Sequence, residues 1–128
     1  MSNRSFGNLG EQFVVDYLQK NGYDIKCQNY RKFFGEIDII AYKSQLYVFV
    51  EVKTRKSQDM PMGQLISKPK QQKIIKTAET FIVENKLSGC VLRFDVALVS
   101  PAGTSFAIEY IENAFIKTEN RYANNSYY

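Results

Sequence analysis

The sequence predicts a single α/β domain with a mixed β-sheet flanked by helices. Two segments carry apolar residues at helical spacing, and several others are rich in β-branched and aromatic residues with strand-like patterning. The 128 residues are 45% hydrophobic and 14% aromatic, which is enough for one domain with its own core. The predicted order of elements is α-β-β-β-α-β-β, which is typical of a sheet with helices packed against it.

The first half of the chain contains a helix and three strands. The helix is predicted over residues 8–20, ends before Gly22, and has an apolar stripe made of Leu9, Phe13, Val14, Tyr17 and Leu18. A first strand is predicted over residues 23–30. Residues 36–42 and 46–54 are predicted to form a hairpin.

The second half begins with a predicted loop over residues 55–67. A second helix is predicted to start near Pro69, since proline is favoured in the first turn, and its apolar face consists of Ile74, Ile75, Ala78, Phe81 and Ile82. Strands over residues 90–100 and 105–111 are joined by a turn at 101–104. Residues 1–116 are predicted to form one domain, and the polar segment 117–128 a flexible tail.

Composition excludes several classes of function. The chain has no histidine, which excludes Ser/His/Asp and Cys/His catalysis and zinc sites that need imidazole. It also lacks a phosphate-binding Gly-rich loop. No apolar run approaches the roughly 20 residues of a membrane span and the N-terminus is polar, so a cytoplasmic location is expected. Cys27 and Cys90 are expected to be small buried hydrophobic residues rather than a disulfide.

The formal charge of +4 is compatible with a polyanionic partner without requiring one. The lysines and arginines form two groups: Lys53, Arg55 and Lys56, and Lys68, Lys70, Lys73 and Lys76. Taken alone, each group is more typical of a solvated surface than of a binding site.

The predicted hairpin places charged residues in an otherwise apolar segment. If Ser44 and Gln45 form the turn, Lys43 pairs with Leu46 and Asp38 falls opposite Glu51; a four-residue turn over 43–46 keeps the same register, whereas an odd-numbered loop without a bulge would separate the two acids. Glu36 then opposes Lys53 and could pair with it. Directly opposed carboxylates repel, so a compensating positive charge is expected. The segment itself leaves two alternatives: a salt-bridged cluster at a strand end or a divalent-metal site.

The chain resembles a known group of enzymes at this hairpin. Glu36-Ile37-Asp38 followed by Glu51-Val52-Lys53 is similar to the PD-(D/E)XK nuclease signature, although the proline is absent. More closely, the chain resembles the bacterial YraN family. The motifs that carry this resemblance are Gly10-Glu11, Asn29-Tyr30-Arg31, Gly35-Glu36-Ile37-Asp38, Phe49-Val50-Glu51-Val52-Lys53-Thr54-Arg55, Gly63, Lys70-Gln71, Ala78, Arg93-Phe94-Asp95-Val96 and Asn113-Ala114-Phe115.

The resemblance implies a restriction-endonuclease-like αβββαβ core, as in Holliday-junction resolvases. It implies a metal-dependent nuclease acting on nucleic acid, with structured or branched DNA as the substrate class and a homodimer as a candidate assembly. Asp38, Glu51 and the Val52 carbonyl would bind Mg²⁺ or Mn²⁺, and Lys53 would orient water or stabilise charge. Arg31, Arg55 and Lys70 would contact phosphate. The alternative is a non-catalytic nucleic-acid-binding module on the same fold.

Other residues keep two interpretations. Glu11 is either a ligand-supporting acid, as the resemblance implies, or the N3 residue of a capping box whose N-cap is Asn8. Arg93 and Asp95 share a strand face and are expected to form a structural ion pair. Tyr122, Tyr127 and Tyr128 could stack on bases, but the tail is expected to be disordered.

Overall fold

The fold is described from a computed structural model that covers residues 3–55 and 66–118, with side chains from residue 7 onward. The elements are α1 (Asn3–Lys20), β1 (Asp24–Lys32), β2 (Gly35–Lys43), β3 (Leu46–Thr54), α2 (Lys68–Glu84), β4 (Val91–Ala102) and β5 (Ser105–Phe115). Their order confirms the predicted sequence of elements. The predictions for Lys56, Gly63 and the tyrosines of the tail fall outside the described residues.

The five strands form one sheet in the order β1-β2-β3-β4-β5. β3 and β4 run parallel, whereas the other neighbouring pairs are antiparallel. Antiparallel neighbours can be joined by tight turns, but parallel neighbours need a crossover, and α2 lies within that connection. The predicted α/β class with a mixed sheet is therefore confirmed.

Each face of the sheet is covered by one helix. On one face, Val14 and Leu18 of α1 pack against Ile39 and Val50 in a fully buried cluster. On the other face, the helix α2 packs against Phe49 of β3 and its neighbours in a second cluster. The interior strand β3 contributes to both clusters, because its successive side chains point to opposite faces. This explains why the segment 46–50 is apolar at every position.

The β2–β3 turn fixes the register that the sequence predicted. Ser44 and Gln45 have φ angles of 50° and 64°, the backbone of a type I′ hairpin turn. Lys43 therefore pairs with Leu46, and the pairing continues without a shift to Ile39 opposite Val50.

Several details of the sequence prediction are wrong, including the turn at 101–104, since β4 extends to Ala102. α1 begins at Asn3, so Asn8 lies inside the helix and cannot be its N-cap. β5 extends to Phe115, because an irregularity beside Asn113, whose φ is 54°, lets Phe115 pair with Phe94. The two cysteines are free but only partly buried, because Cys27 lies on the edge strand β1 and Cys90 precedes β4.

Gly35 brings the start of β2 against α2. A Cβ atom at this position would overlap the Thr77 hydroxyl and lie 3.0 Å from the Lys73 carbonyl oxygen. The Thr77 side chain is itself fixed, since it is fully buried and donates to the Lys73 carbonyl. The close approach matters for the site described below, because it sets how near α2 lies to the first residues of β2.

Replacing Gly35 with Ala is expected to lower the free energy of unfolding by about 1–3 kcal/mol, because the added methyl must push a packed helix away. Urea unfolding measures this change. Gly7→Ala is the matched control: nothing lies within 4 Å of that position, and alanine there should stabilise the helix by about 0.5–1 kcal/mol. Equal effects of the two substitutions would contradict the close approach.

Candidate active site

Asp38 lies where β2 and β3 separate. The backbone pairing of these strands ends at Ile39 and Val50, and the next backbone N–H, that of Val52, donates to Oδ2 of Asp38 at 2.8 Å. The alternation of faces also breaks here, since Ile37 packs on the α2 side and Ile39 on the α1 side. The Asp38 carboxylate therefore takes the place of a strand partner at the fork between β2 and β3.

Asp38 and Glu51 line one pocket of ≈ 130 Å³ between this fork and α2. The remaining lining residues are Gly35, Glu36, Lys70, Lys73 and Ile74. The predicted hairpin register therefore does bring the two acids together on the face covered by α2. The pocket also receives two lysines from the first turns of α2, so acids and amines meet in one small space.

The carboxyl of Asp38 is poorly stabilised as an anion. Its pKa is raised from 3.8 to about 7, mainly by burial and next by the negative charge of Glu51. The hydrogen bond from Val52 acts in the opposite direction, while Glu11 and Glu36 contribute further repulsion. Burial and the neighbouring acids therefore disfavour the charged form of Asp38.

Lys70 supplies part of the compensation. Its Nζ lies 2.8 Å from Oε1 of Glu51, whose side chain is 9% exposed. Burial lowers the pKa of Lys70, but the hydrogen bond and charge of Glu51 outweigh it, so the pKa is raised overall. The side chain of Lys53 also interacts with Lys70. Glu51 therefore has an ammonium partner, whereas the hydrogen bond that Asp38 receives within the described residues comes from a backbone N–H.

Glu11 reaches toward the same acids from α1. Burial raises its pKa, a hydrogen bond with the Asn29 side chain lowers it, and the charges of Glu36 and Glu51 raise it again. Its Oε1 atom is buried without a hydrogen-bond partner in the part of the chain that the structure describes. Since Asn8 does not cap the helix, the capping interpretation of Glu11 is wrong. A carboxylate oxygen that is unpartnered beside other acids could bind a cation directly or accept a hydrogen bond from a water molecule bound to that cation.

The remaining predicted residues lie at different places. Glu36 pairs with Arg31 at 3.0 Å, so its expected pairing with Lys53 is wrong; the backbone pairing of β2 with β3 ends before it reaches these two residues. The Arg31 side chain is 70% exposed, beside the pocket. Arg55 is only 11% exposed and pairs with Glu109 of β5. Arg31 is thus freely accessible to an incoming phosphate, whereas Arg55 is mostly covered.

The oxygen donors fit a hard divalent cation. Mg²⁺ usually takes one or two carboxylates and keeps several waters, and the Asp38 and Glu51 carboxylates are of this type. The unpartnered Glu11 oxygen and the raised pKa of Asp38 belong to carboxylates whose charged form is disfavoured by burial and by neighbouring acids, an effect that a bound cation would offset. Within residues 3–55 and 66–118, no three acidic side chains are already close enough to enclose an ion. An all-protein cage is not what Mg²⁺ requires, so the set remains suitable.

Arg93 and Asp95 form the structural ion pair that the sequence predicts. Asp95 is fully buried and accepts from Nε and Nη2 of Arg93 at 2.9 and 2.8 Å. The Tyr110 hydroxyl and the Asn113 N–H also donate to it, at 2.6 and 2.9 Å. Tyr110 packs with the α1-side cluster, so this pair lies on the opposite face of the sheet from the pocket.

Sequence reasoning gave no role to two residues that the structure connects with the acids. Asn29, the hydrogen-bond partner of Glu11, has a φ of 54°, in the left-handed region that asparagine tolerates better than most residues. Lys73 lines the pocket one helical turn from Lys70. The sequence signal for Lys73 was its position in the group of lysines on α2. The spacing of these lysines does not show which of them face the acids.

Comparison with known proteins defines the class of fold first. The structure is similar to Hjc from Archaeoglobus fulgidus, a Holliday junction resolvase from an archaeal hyperthermophile, with a TM-score of 0.52 and 22% sequence identity over 88% of this chain and 78% of that one. The fold is thus of the nuclease-like type predicted. No helix among the described residues is long and apolar enough to cross a membrane.

The sequence assigns the family. Residues 10–99 match the uncharacterised protein family UPF0102. A UPF0102 protein of Dictyoglomus turgidum is 42% identical over 90% of this chain and its own whole length, and one of Alkaliphilus metalliredigens is 45% identical over 88% of this chain and 98% of its own. The chain belongs to the UPF0102 family, and the predicted resemblance to the YraN family is confirmed.

Proposed function

We propose that this protein is a metal-dependent nuclease that hydrolyses phosphodiester bonds in nucleic acid, with structured or branched DNA as its substrate. The observation that carries the proposal is the pocket at the β2–β3 fork, where Asp38 and Glu51 meet Lys70 on a resolvase-like fold. A structural salt bridge would not require a second, crowded carboxylate beside Glu51. The presence of both acids in one pocket is better explained by a cation that the two carboxylates would hold.

Each residue then has a role that follows from its position. Asp38, Glu51 and the Val52 carbonyl would hold Mg²⁺ or Mn²⁺, with Glu11 supporting the ion through water. A bound Mg²⁺ supplies positive charge to a phosphate and lowers the pKa of water. Lys53 follows Glu51 on the same strand face and would orient the attacking water or stabilise the negative charge that develops.

Lys70 and Arg31 would receive the phosphate backbone. The Lys70 ammonium has three N–H donors and its side chain is 44% exposed, so Lys70 could contact phosphate while it stays paired with Glu51. Arg31 is exposed at the pocket rim and can do the same after release from Glu36. Contacts of this kind position a nucleic acid without reading its sequence, and they make binding sensitive to salt.

One observation favours a second candidate, a nucleic-acid-binding module that does not cut. The Lys70–Glu51 ion pair at 2.8 Å neutralises one of the two acids without any metal. A module of this kind would bind nucleic acid in the same salt-sensitive way, and metal would make no difference to the integrity of the strand.

The deciding experiment uses labelled duplex, single-stranded, flapped and four-way-junction DNA, and matching RNA, incubated with Mg²⁺, Mn²⁺ or EDTA. We expect wild type to cut at least one branched DNA in the presence of metal. Lys53→Ala should lower the cleavage rate about 100-fold or more and leave the dissociation constant within about threefold of wild type, because Lys53 acts on the reaction rather than on binding.

The outcomes separate the two candidates. Salt-sensitive binding with no metal-dependent cleavage of any substrate favours the binding module and contradicts the nuclease. Cleavage that survives in Lys53→Ala at the wild-type rate identifies a contaminating nuclease or a different catalytic group.

A further inference from the structure

The turn between β1 and β2 presents an aromatic ring to solvent. Phe33 and Phe34 form this turn, between Lys32 and Gly35, and Phe33 is 100% exposed. A fully exposed phenylalanine contributes nothing to the core and exposes a large apolar surface to water. The other exposed large hydrophobic side chains among the described residues, Leu9, Val83, Val91 and Ile116, belong to other parts of the fold.

The turn that carries Phe33 is held in place on several sides. Arg31 pairs with Glu36 across the two strands, and Lys32 pairs with Glu84 of α2 at 2.8 Å. Phe34 packs edge-on against Phe33, with ring centroids 5.1 Å apart, and lies beneath Nζ of Lys76 at 4.6 Å. These contacts hold the turn, and with it the backbone of Phe33, in one position. Less conformational entropy is therefore lost when the ring binds a partner.

The turn also adjoins the pocket. Gly35 and Glu36, which follow Phe34 directly, both line it, so Phe33 lies within about 7 Å of the pocket lining along the chain. The charged side chains beside the turn are of both signs, since Glu36 is 37% and Glu84 46% exposed, but the most exposed is Arg31, at 70%. Lys70 at the pocket is 44% exposed. An aromatic ring next to exposed cations can take a nucleobase and its phosphates together.

We propose that Phe33 stacks on an unpaired nucleobase next to the phosphate held at the pocket. The partner is unpaired because a base inside a duplex already has both faces covered by its neighbours. Phe33 thus selects single-stranded, flapped or branched nucleic acid over continuous duplex. This inference rests on the proposed function only in that nucleic acid must bind at the pocket; it does not require cleavage.

A binding experiment without metal tests the proposal. A flapped DNA carrying 2-aminopurine at the first unpaired position is titrated with protein in EDTA at low salt, and both fluorescence quenching and the dissociation constant are measured. The same titration uses a blunt duplex of equal length. Phe33→Ala should weaken flap binding about 10-fold and remove the quenching, with less than a twofold change for the duplex.

Two further variants separate stacking from general apolar contact. Phe33→Trp should keep the quenching and the wild-type affinity, whereas Phe33→Leu should behave like alanine, because leucine has apolar area but no π-face. Val91→Ala is the matched control, since Val91 is also exposed, at 63%, and pairs at the Leu46 end of the sheet. All four variants should unfold at the wild-type urea midpoint, because these side chains lie outside the core.

Several results would overturn the stacking role. They are wild-type flap affinity in Phe33→Ala, an equal loss for flap and duplex, a leucine variant as good as wild type, or no nucleic acid bound at all. If Phe33→Ala alters only the self-association of the protein, measured by sedimentation, and not its binding of nucleic acid, the ring would instead belong to a contact between copies of the chain. Phe33-dependent quenching without metal-dependent cutting would leave this inference standing while the nuclease proposal fails.

Discussion

Replacing Asp38 with Asn is expected to abolish metal-dependent cleavage, with a loss of about 1000-fold or more in rate. The substitution removes one of the two carboxylates that would hold the cation, and losing several kcal/mol of charge stabilisation in the transition state corresponds to a loss of this size. The asparagine oxygen can still accept from the Val52 N–H, so the fork between β2 and β3 is kept. Single-turnover cleavage of a flapped substrate in Mg²⁺ measures the loss.

The same variant is expected to be more stable than wild type at pH 8. Asp38 has a pKa of about 7 in the folded protein against 3.8 for an ordinary carboxyl, so the folded state binds more protons between these values. The free energy of unfolding of wild type therefore falls as pH rises through this window, and the loss is complete above it. The asparagine side chain carries no charge, so the variant should gain on the order of 2 kcal/mol over wild type at pH 8 and nothing near pH 4.

Urea unfolding in EDTA at pH 4, 6 and 8 tests this dependence. Asp16→Asn is the matched control, since it makes the same chemical change on the exposed face of α1, where Asp16 accepts from Gln12 at 3.0 Å. Its effect should stay within about 0.5 kcal/mol at every pH. An Asp38→Asn protein that is less stable than wild type at pH 8 would mean that the carboxylate is well compensated, and the case for a cation would lose its basis.

The hairpin could be predicted from the sequence because two local signals agree. Side chains alternate between the two faces along a strand, so the position of a residue determines its face, and a two-residue turn fixes the register. Together they predict that Lys43 pairs with Leu46 and that Asp38 and Glu51 lie near each other. Neither signal shows that the ladder stops at Ile39 and Val50, because that depends on the Asp38 side chain accepting a backbone hydrogen bond.

The surroundings of the acids depend on tertiary contacts and were less predictable. Glu11 had two equally good interpretations, a capping residue from its local sequence and a ligand-supporting acid from the family resemblance, and only the start of α1 at Asn3 removed one of them. Glu36 finds Arg31 on β1 rather than Lys53 on β3, since the β1–β2 ladder continues past the fork. Lys70 reaches Glu51 because Gly35 lets α2 approach β2, a contact that no pattern within α2 reveals.

Replacing Asp95 with Ala is expected to lower the free energy of unfolding by about 3–5 kcal/mol. Asp95 is fully buried and receives hydrogen bonds from Arg93, Tyr110 and Asn113. Alanine would leave the Arg93 guanidinium, only 18% exposed, without its main counter-charge, and breaking a buried pair on one side costs this much. Urea unfolding at pH 7 measures the change. Glu79→Gln removes one partner of the exposed Lys117–Glu79 pair and should cost less than about 1 kcal/mol.

The double variant Arg93→Met with Asp95→Leu separates charge from packing. If the penalty of Asp95→Ala comes from an uncompensated guanidinium, removing both charges should recover part of the lost stability, although Tyr110 and Asn113 still lose their acceptor. No recovery would mean that the hydrogen bonds to Asp95, rather than its charge, hold β4 against β5. Because Asp95 lies on the α1 side of the sheet, the double variant should still cut a flapped substrate wherever it remains folded. Cleavage by the double variant would show that Asp95, although it lies on the strand next to Glu51, is not a third acid of the pocket.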